Sequence, residues 1–548
     1  MLKANEEKTE MYAEIFDLGG NVIARDYACP YFQVKRIIQH LPSDGKREVE
    51  LFYQLDDECG IIKFGTELLS KHNQMMSALA SNLFIVGKPY QKEVASMIEK
   101  QAQQVIRNKV YGYEHNFLGW KEFNGKNYFF LDDVNLGNNI RSNCIRNCGK
   151  FTNGSEKKYD NLLKNYVFMS PQMSLAYCIG FASVVSGLIS NFRGLDVPIV
   201  GLTGRSTTGK TTALKLIASI WGDPNSNGTV ILKNQATEKG FQAQITGLFG
   251  YPICFDDLDT NQKLDMETFL YDLSRGTQRT FSDIDGNPVF TRHAFSGLAI
   301  ITGENSLVER TSQKMGLFSR VLELDEVKWT CSDEFSTKIK DCVSLNYGFK
   351  GKKFAKFIQN KSLEKILEQF DHYKKLVKQN LNQTDKFADR TGSKLALINQ
   401  TIALVNECFG LSLDERQLMS FAYKSEIEQQ NKRNKSKLAY EFMYSYYQAN
   451  KNKFDIKQKR GACISQTRER REGIALLDEL RVDLYVPVST AKRILKANGF
   501  PQIGTYQAEW RDNGYTKCEN GRFDKSNSEL GRHYHFVYEF ENTENGGI

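Results

Sequence analysis

Eight consecutive residues carry the most specific chemistry in this chain: Gly204-Arg205-Ser206-Thr207-Thr208-Gly209-Lys210-Thr211, a full GxxxxGK motif ending on a hydroxyl. Glycines at that spacing let backbone N–H groups curl around phosphate oxygens at the positive end of a helix. Lys210 adds charge at the β and γ phosphates, Thr211 offers its hydroxyl to Mg²⁺, and Thr212 follows on the same turn. The metal also needs a carboxylate from a neighbouring strand, and Tyr251-Pro252-Ile253-Cys254-Phe255-Asp256-Asp257 ends in two. Asp256 is the expected metal ligand, through water. Asp257 is the expected base that orients the attacking water, although it is one methylene shorter than the usual glutamate. A third apolar run, Gly297-Leu298-Ala299-Ile300-Ile301, ends at Thr302-Gly303-Glu304-Asn305. Thr302 and Asn305 are both candidates to sense the γ phosphate, and the sequence does not choose between them. Gly316-Leu317-Phe318-Ser319-Arg320 precedes another apolar strand, so Arg320 is placed either to reach a neighbouring subunit's nucleotide or to form a surface salt bridge.

These residues need strands that end together and a helix that starts at the loop. Val197 to Leu202 reads as the strand entering the motif, Thr211 to Trp221 as the helix leaving it, and residues 166–345 alternate strand and helix as an α/β sheet does. Residues 346–430 are expected to be helical, with periodic segments at Ser362 to Leu381 and Leu395 to Cys408. The polar stretch Gln429 to Ser436 reads as a linker. Residues 431–548 read as a winged helix: a helix from Ser489 to Asn498 capped by Ser489, a second ending at Asn513-Gly514, and strands at Tyr515 to Cys518 and His533 to Phe540. Residues 1–165 read as a mixed α/β domain whose chemistry its residues do not disclose, with a helix from Gln91 to Val110 and a hairpin turning at Asn124-Gly125.

At 548 residues the chain is too long for one hydrophobic core. Its composition, 41% hydrophobic and 25% charged, is that of a globular protein rather than a disordered one. No apolar leader follows Met1, and the charge-free stretch Leu175 to Ile189, interrupted by glycine and serine, reads as a buried helix rather than a membrane span. Eleven scattered cysteines suit a reducing cytoplasm, and the spacing of Cys144 and Cys148 is not that of a zinc site. Net charge is +8, of which residues 431–548 hold +6, from 21 Lys and Arg against 15 Asp and Glu. Such a bias suits either nucleic acid phosphates or a plain solvated face.

The segment from about Ser174 to Arg320 resembles a P-loop family long filed as a domain of unknown function, which includes MCM-like helicases of staphylococcal cassette elements and replication initiators of related pathogenicity islands. The resemblance rests on Gly204 to Leu214 with Trp221-Gly222-Asp223-Pro224, Leu270-Tyr271-Asp272-Leu273 with Gly276 and Arg279, and Thr302-Gly303-Glu304; Gly119-Trp120 and Tyr347-Gly348 are similar to its flanking signatures. It implies an AAA+ core, an ATP- and Mg²⁺-dependent ring of six subunits, single-stranded DNA in the pore, and a helical lid whose arginine, Arg390 here, joins the nucleotide site. Residues 275–293 resemble the hairpin that such motors push into the pore. Its tip carries Asp283 and Asp285 instead of lysine, which moves the expected DNA contact to Arg275, Arg279 and Arg292.

Two functions follow. One is an ATP-driven helicase that initiates replication of a mobile element and grips duplex through Lys492, Arg493, Lys496 and Arg511 of the winged helix. The other is a nucleotide-gated DNA-binding regulator that assembles without translocating.

Overall fold

A computed structural model describes residues 2–41, 46–137, 140–147, 149–225, 230–232, 235–261, 264–276, 281–282, 288–289, 295–308, 315–381, 388–458, 463–465, 471–501, 503–519 and 522–540. The chain is mixed α/β, with several sheets and many helices. It divides once, into residues Met1–Ser425 and Glu426–Ile548. The divisions expected at 165/166 and 345/346 both fall inside the first unit, where one hydrophobic cluster runs from Leu118 to Ala422.

The amino-terminal residues build a sheet around the long strand Val22–Leu41, which pairs antiparallel with Glu10–Phe16 and Arg47–Leu55 and parallel with Tyr111–His115. The helix Gln91–Arg107 covers it by burying Val94, Ala95, Ile98 and Ala102, which fall on one helical face. Next comes the expected hairpin, Leu118–Phe123 with Lys126–Phe130. Asn124 and Gly125 turn it with φ of 50° and 76°, the two positive values that a tight hairpin turn requires. Trp120 anchors this hairpin in the larger cluster, its indole N–H donating to the Val184 carbonyl at 2.8 Å. Gly119 makes the approach feasible, because a Cβ there would lie 1.8 Å from the Phe249 carbonyl oxygen.

Helix α1, Pro171–Arg193, starts where the Ser170 hydroxyl accepts from the Met173 N–H and ends at Gly194 with φ of 60°. Among the described residues it is the helix long and apolar enough to cross a membrane, yet 94% of its apolar window is buried inside the fold. Beside it lie β1 (Ile199–Leu202), α2 (Lys210–Ser219), β2 (Ile231–Leu232), β3 (Ile253–Phe255), α3 (Met266–Arg275), β4 (Ala299–Thr302) and β5 (Val321–Leu324). The five strands form one parallel sheet in the order β2-β3-β4-β1-β5. The chain leaves β1 toward one edge and returns to add β5 on the other side of β1. Such a reversal leaves a crevice at the carboxyl ends of the strands. Helix α4, Ala388–Phe409, lies in the helical region that follows.

The polar stretch Gln429 to Ser436, expected as a linker, is helical over most of its length: the helix Glu415–Arg433 runs through it, and Asn434 caps the next helix, α5 (Lys435–Ala449). The second unit holds more strands than a minimal winged helix. These are β6 (Phe454–Gln458), β7 (Cys463–Ser465), β8 (Gly473–Asp478), β9 (Arg481–Pro487), β10 (Lys525–Asn527) and β11 (Gly531–Glu539), ordered β7-β6-β8-β9-β11-β10. Helices α6 (Val488–Ala497) and α7 (Ile503–Asp512) fall between β9 and β10. The start of α6 differs from the expected serine cap: Pro487, not Ser489, occupies the cap position, and no side chain caps the helix. Tyr515 to Cys518 forms only an isolated bridge from Thr516 to Phe536, so the hairpin at the end of the sheet pairs β10 with β11 instead. Tyr534, Phe536 and Tyr538 are core, as their alternation suggests, but His533, His535 and Val537 on the other face are buried too.

Candidate functional site

The P-loop joins the end of β1 to the start of α2 through three residues in the left-handed region: Gly204 (φ 120°), Thr207 (φ 69°) and Gly209 (φ 89°). Both glycines are pressed from outside by the segment that follows β5. A Cβ on Gly204 would lie 2.9 Å from the Glu326 N, and one on Gly209 would lie 2.5 Å from the Thr330 hydroxyl. That segment also bonds the loop's flanks, the Glu326 N–H donating to the Thr203 carbonyl and the Trp329 N–H to the Thr208 carbonyl. The Asp325 carboxylate accepts from the Thr203 hydroxyl at 2.9 Å. Lys210 is buried at the start of α2, its ammonium donating to the Gly204 and Arg205 carbonyls at 2.8 and 2.7 Å. Arg205, Ser206 and Thr207 are exposed, and Thr208, Gly209 and Thr211 are half-buried. Thr212 points elsewhere: it is buried, with its hydroxyl 2.7 Å from that of Ser336.

Register brings the second group of residues to the same edge. Phe255 pairs with Ile301, so Asp256 falls beside Thr302, and Leu202 pairs with Thr302 on the other side. The Thr302 hydroxyl donates to Asp256 Oδ1 at 2.7 Å and accepts from the Asp257 N–H at 2.8 Å. Thr211 donates to the same Oδ1 at 3.2 Å. One carboxylate oxygen thus gathers hydroxyls from α2 and β4, an all-oxygen donor set of the kind that suits Mg²⁺. Asp257 turns away from the strand with φ of 48° and ψ of 47° and opens a short 3₁₀ turn. Between the two sensor candidates the burial differs: Thr302 is fully buried in this network, whereas Asn305 and Glu304 are exposed on the loop beyond it.

Arg320 stands at the opposite edge. It precedes Val321, which pairs with Ile199, the first residue of β1, whereas the P-loop leaves from the last. Three rises of about 3.3 Å put roughly 10 Å between the first and last residues of β1. Arg320 therefore stands at the end of the sheet opposite the P-loop. Its guanidinium lies 4.8 Å from the Tyr271 ring centre and donates to the Gly316 carbonyl at 2.8 Å. Burial, and then the nearby charge of Arg390, pull its pKa below the usual arginine value. Arg390, expected to join the nucleotide site from the lid, is at this far edge as well. Its Nε lies 3.5 Å from Asp196 and its Nη1 donates to the Ser319 hydroxyl at 3.4 Å. Arg320 and Arg390 line a shared cleft of about 320 Å³ together with Arg193, Lys374 and Lys394, against Asp196 and Asp389.

Of the residues expected at DNA, Arg275 is exposed at the end of α3. Phe281–Ser282 pairs antiparallel with Pro288–Val289, but Arg279, Arg292, Asp283 and Asp285 lie outside the described residues. On α6, Lys492 and Lys496 are exposed on one face, while Arg493 on that face is tied to Glu472 at 2.6 Å. Arg511 of α7 pairs with Asp512 at 2.8 Å and lies 5.3 Å from the Phe523 ring centre. Sequence reasoning passed over Glu323 and the segment after β5. The signal was present in Val321-Leu322-Glu323-Leu324, where one acid interrupts a buried apolar strand.

A family model described as a domain of unknown function, DUF927, matches residues 43–289, a span that contains the P-loop and Asp256 and stops short of Thr302 and Arg320. No curated protein matches the sequence. Among solved structures, an active helicase, SCCmec type IV Cch, aligns with a TM-score of 0.73 at 18% identity, over 98% of this chain and 97% of that one. The fold is thus shared over nearly the whole length of both chains.

Proposed function

We propose that this protein is an ATP-driven DNA helicase whose AAA+ core assembles into a ring, and that it initiates replication of a mobile genetic element. The observation that carries this reading is the split of the charged residues between the two ends of one sheet. Lys210, Thr211, Asp256 and Thr302 meet at the carboxyl ends, and Arg320 and Arg390 meet at the amino ends. Arginines at the end of the sheet away from their own chain's P-loop fit a site completed by the next subunit, and a ring, proposed here as a hexamer, gives every subunit such a neighbour. The shared fold with an active helicase supports the choice of a motor over a small-molecule kinase.

In this reading ATP with Mg²⁺ supplies the phosphoryl group to be transferred and the cation that shields it. The P-loop backbone and Lys210 hold the phosphates, and Thr211 and Asp256 hold the metal. Asp257 orients water and takes its proton, and Thr302 fixes Asp256 and Asp257 relative to each other. Arg320 and Arg390 of the adjoining subunit neutralise charge as it develops. Arg275, exposed at the end of α3, contacts single-stranded DNA in this reading. The second unit contributes a winged-helix-like face, with Lys492 and Lys496 of α6 toward duplex phosphates.

Strand displacement on a forked duplex tests the proposal. Wild-type protein with ATP should separate the strands, and Lys210→Ala, with its fold intact by circular dichroism, should neither hydrolyse ATP nor separate them. Nucleotide-dependent duplex binding with no displacement by the wild type would make the protein a switch instead.

A further inference from the structure

Glu323 is 5% exposed although it stands on β5, the edge strand of the parallel sheet. It pairs in register with Gly201 of β1, where a Cβ would lie 3.3 Å from the Glu323 Cγ. Its carboxylate faces the loop that leaves β4 after Thr302. One oxygen accepts from the Ser306 hydroxyl at 2.8 Å, and the other from the backbone N–H groups of Leu307 and Val308 at 2.5 and 3.4 Å. A carboxylate buried this deeply is costly unless its oxygens are satisfied, and here three donors come from one short loop. That loop carries Glu304 and Asn305.

We propose that Glu323 is a positioning residue of the nucleotide site: from the edge strand β5, its carboxylate holds residues 303–308 so that Thr302, Glu304 and Asn305 keep their places facing the γ phosphate. The inference rests on the reading of the site as an ATPase. Burial raises the Glu323 pKa to about 7, with the charge of Asp325 adding to the rise and the three hydrogen bonds opposing it. The neutral carboxyl that burial favours can still accept from both N–H groups at one oxygen and donate to the Ser306 hydroxyl from the other, so the hold on the loop does not require ionisation.

The test compares full-length wild type, Glu323→Gln, Glu323→Ala and Glu323→Leu for binding of a fluorescent ATP analogue and for kcat and KM. Glu323→Gln keeps the volume and can still accept from both N–H groups and donate to the Ser306 hydroxyl, so its kcat should stay near the wild-type value. Glu323→Ala and Glu323→Leu offer no acceptor; they should bind the analogue within about twofold of wild type and lose roughly ten- to a hundredfold in kcat, as expected when reacting groups are slightly misplaced. If the alanine variant does not fold, the leucine variant, apolar like its strand neighbours, decides. Wild-type kcat in a folded Glu323→Ala or Glu323→Leu protein overturns the proposal, as does a glutamine variant as slow as the leucine one. Lys210→Ala run alongside separates the two levels. Retained turnover in Lys210→Ala would sink the ATPase reading, whereas a dead Lys210→Ala beside a normal Glu323→Leu would sink only the role of Glu323.

Discussion

Asp257, the proposed base, has its backbone in the left-handed region, which asparagine tolerates as well as aspartate does, so Asp257→Asn would remove the carboxylate without straining the turn. Thr302 should still hold the backbone N–H, and nucleotide affinity should be nearly unchanged. Turnover should fall by about a hundredfold or more, the usual contribution of a positioned base. Single-turnover hydrolysis measured beside nucleotide binding checks both halves. Wild-type turnover in that variant would pass the role to Glu304, which is exposed on the next loop.

At the scale of elements, helix α6 offers the plainest test of the DNA reading. Ser489, Lys492, Arg493 and Lys496 share its outer face, while Ala491, Ile494 and Leu495 are buried, so the lysines can be changed without touching the core. Each phosphate contact contributes about 0.9 to the slope of log affinity against log salt on duplex DNA. Lys492→Ala with Lys496→Ala should lower that slope by roughly two and weaken binding to all sequences alike. Arg493→Ala should do less, because its charge is already engaged by Glu472. An unchanged slope in the double variant would remove α6 from the DNA contact.

For the proposed ring, the placement of the P-loop and Arg320 at opposite ends of β1 and β5 leads to a prediction about mixed oligomers. Arg320→Ala and Lys210→Ala should each be inactive alone, yet mixtures should recover ATPase at interfaces that pair an intact Lys210 with an intact Arg320. Recovery should vanish on dilution below assembly. Normal turnover by Arg320→Ala would exclude the neighbour's role. No recovery in mixed oligomers verified by light scattering would do the same, unless one dead site stalls the ring. Titrating mutant into wild type reveals a stall as a loss of activity far steeper than the mutant fraction.

The sequence by itself determined the glycine-rich turn from Gly204 into α2, the paired aspartates after β3 and the hairpin at Asn124-Gly125, because each depends on neighbours within a few positions. Glycines at fixed offsets, acids at the end of an apolar run and a turn dipeptide are local constraints. The buried character of α1 was legible for the same reason, in a run without charge. Tertiary structure alone decided the rest. Strand order β2-β3-β4-β1-β5 and its register set Thr302 against Asp256, with Asn305 exposed on the loop beyond, while the fold brought Arg390 to the cleft of Arg320. Local propensity could not foresee that the polar stretch near Gln429 would continue a helix, or that six strands would make the second sheet. Pairing partners that are distant along the chain leave little mark on either segment, and the direction in which a charged side chain points is settled only when the strands on both sides of it are in place.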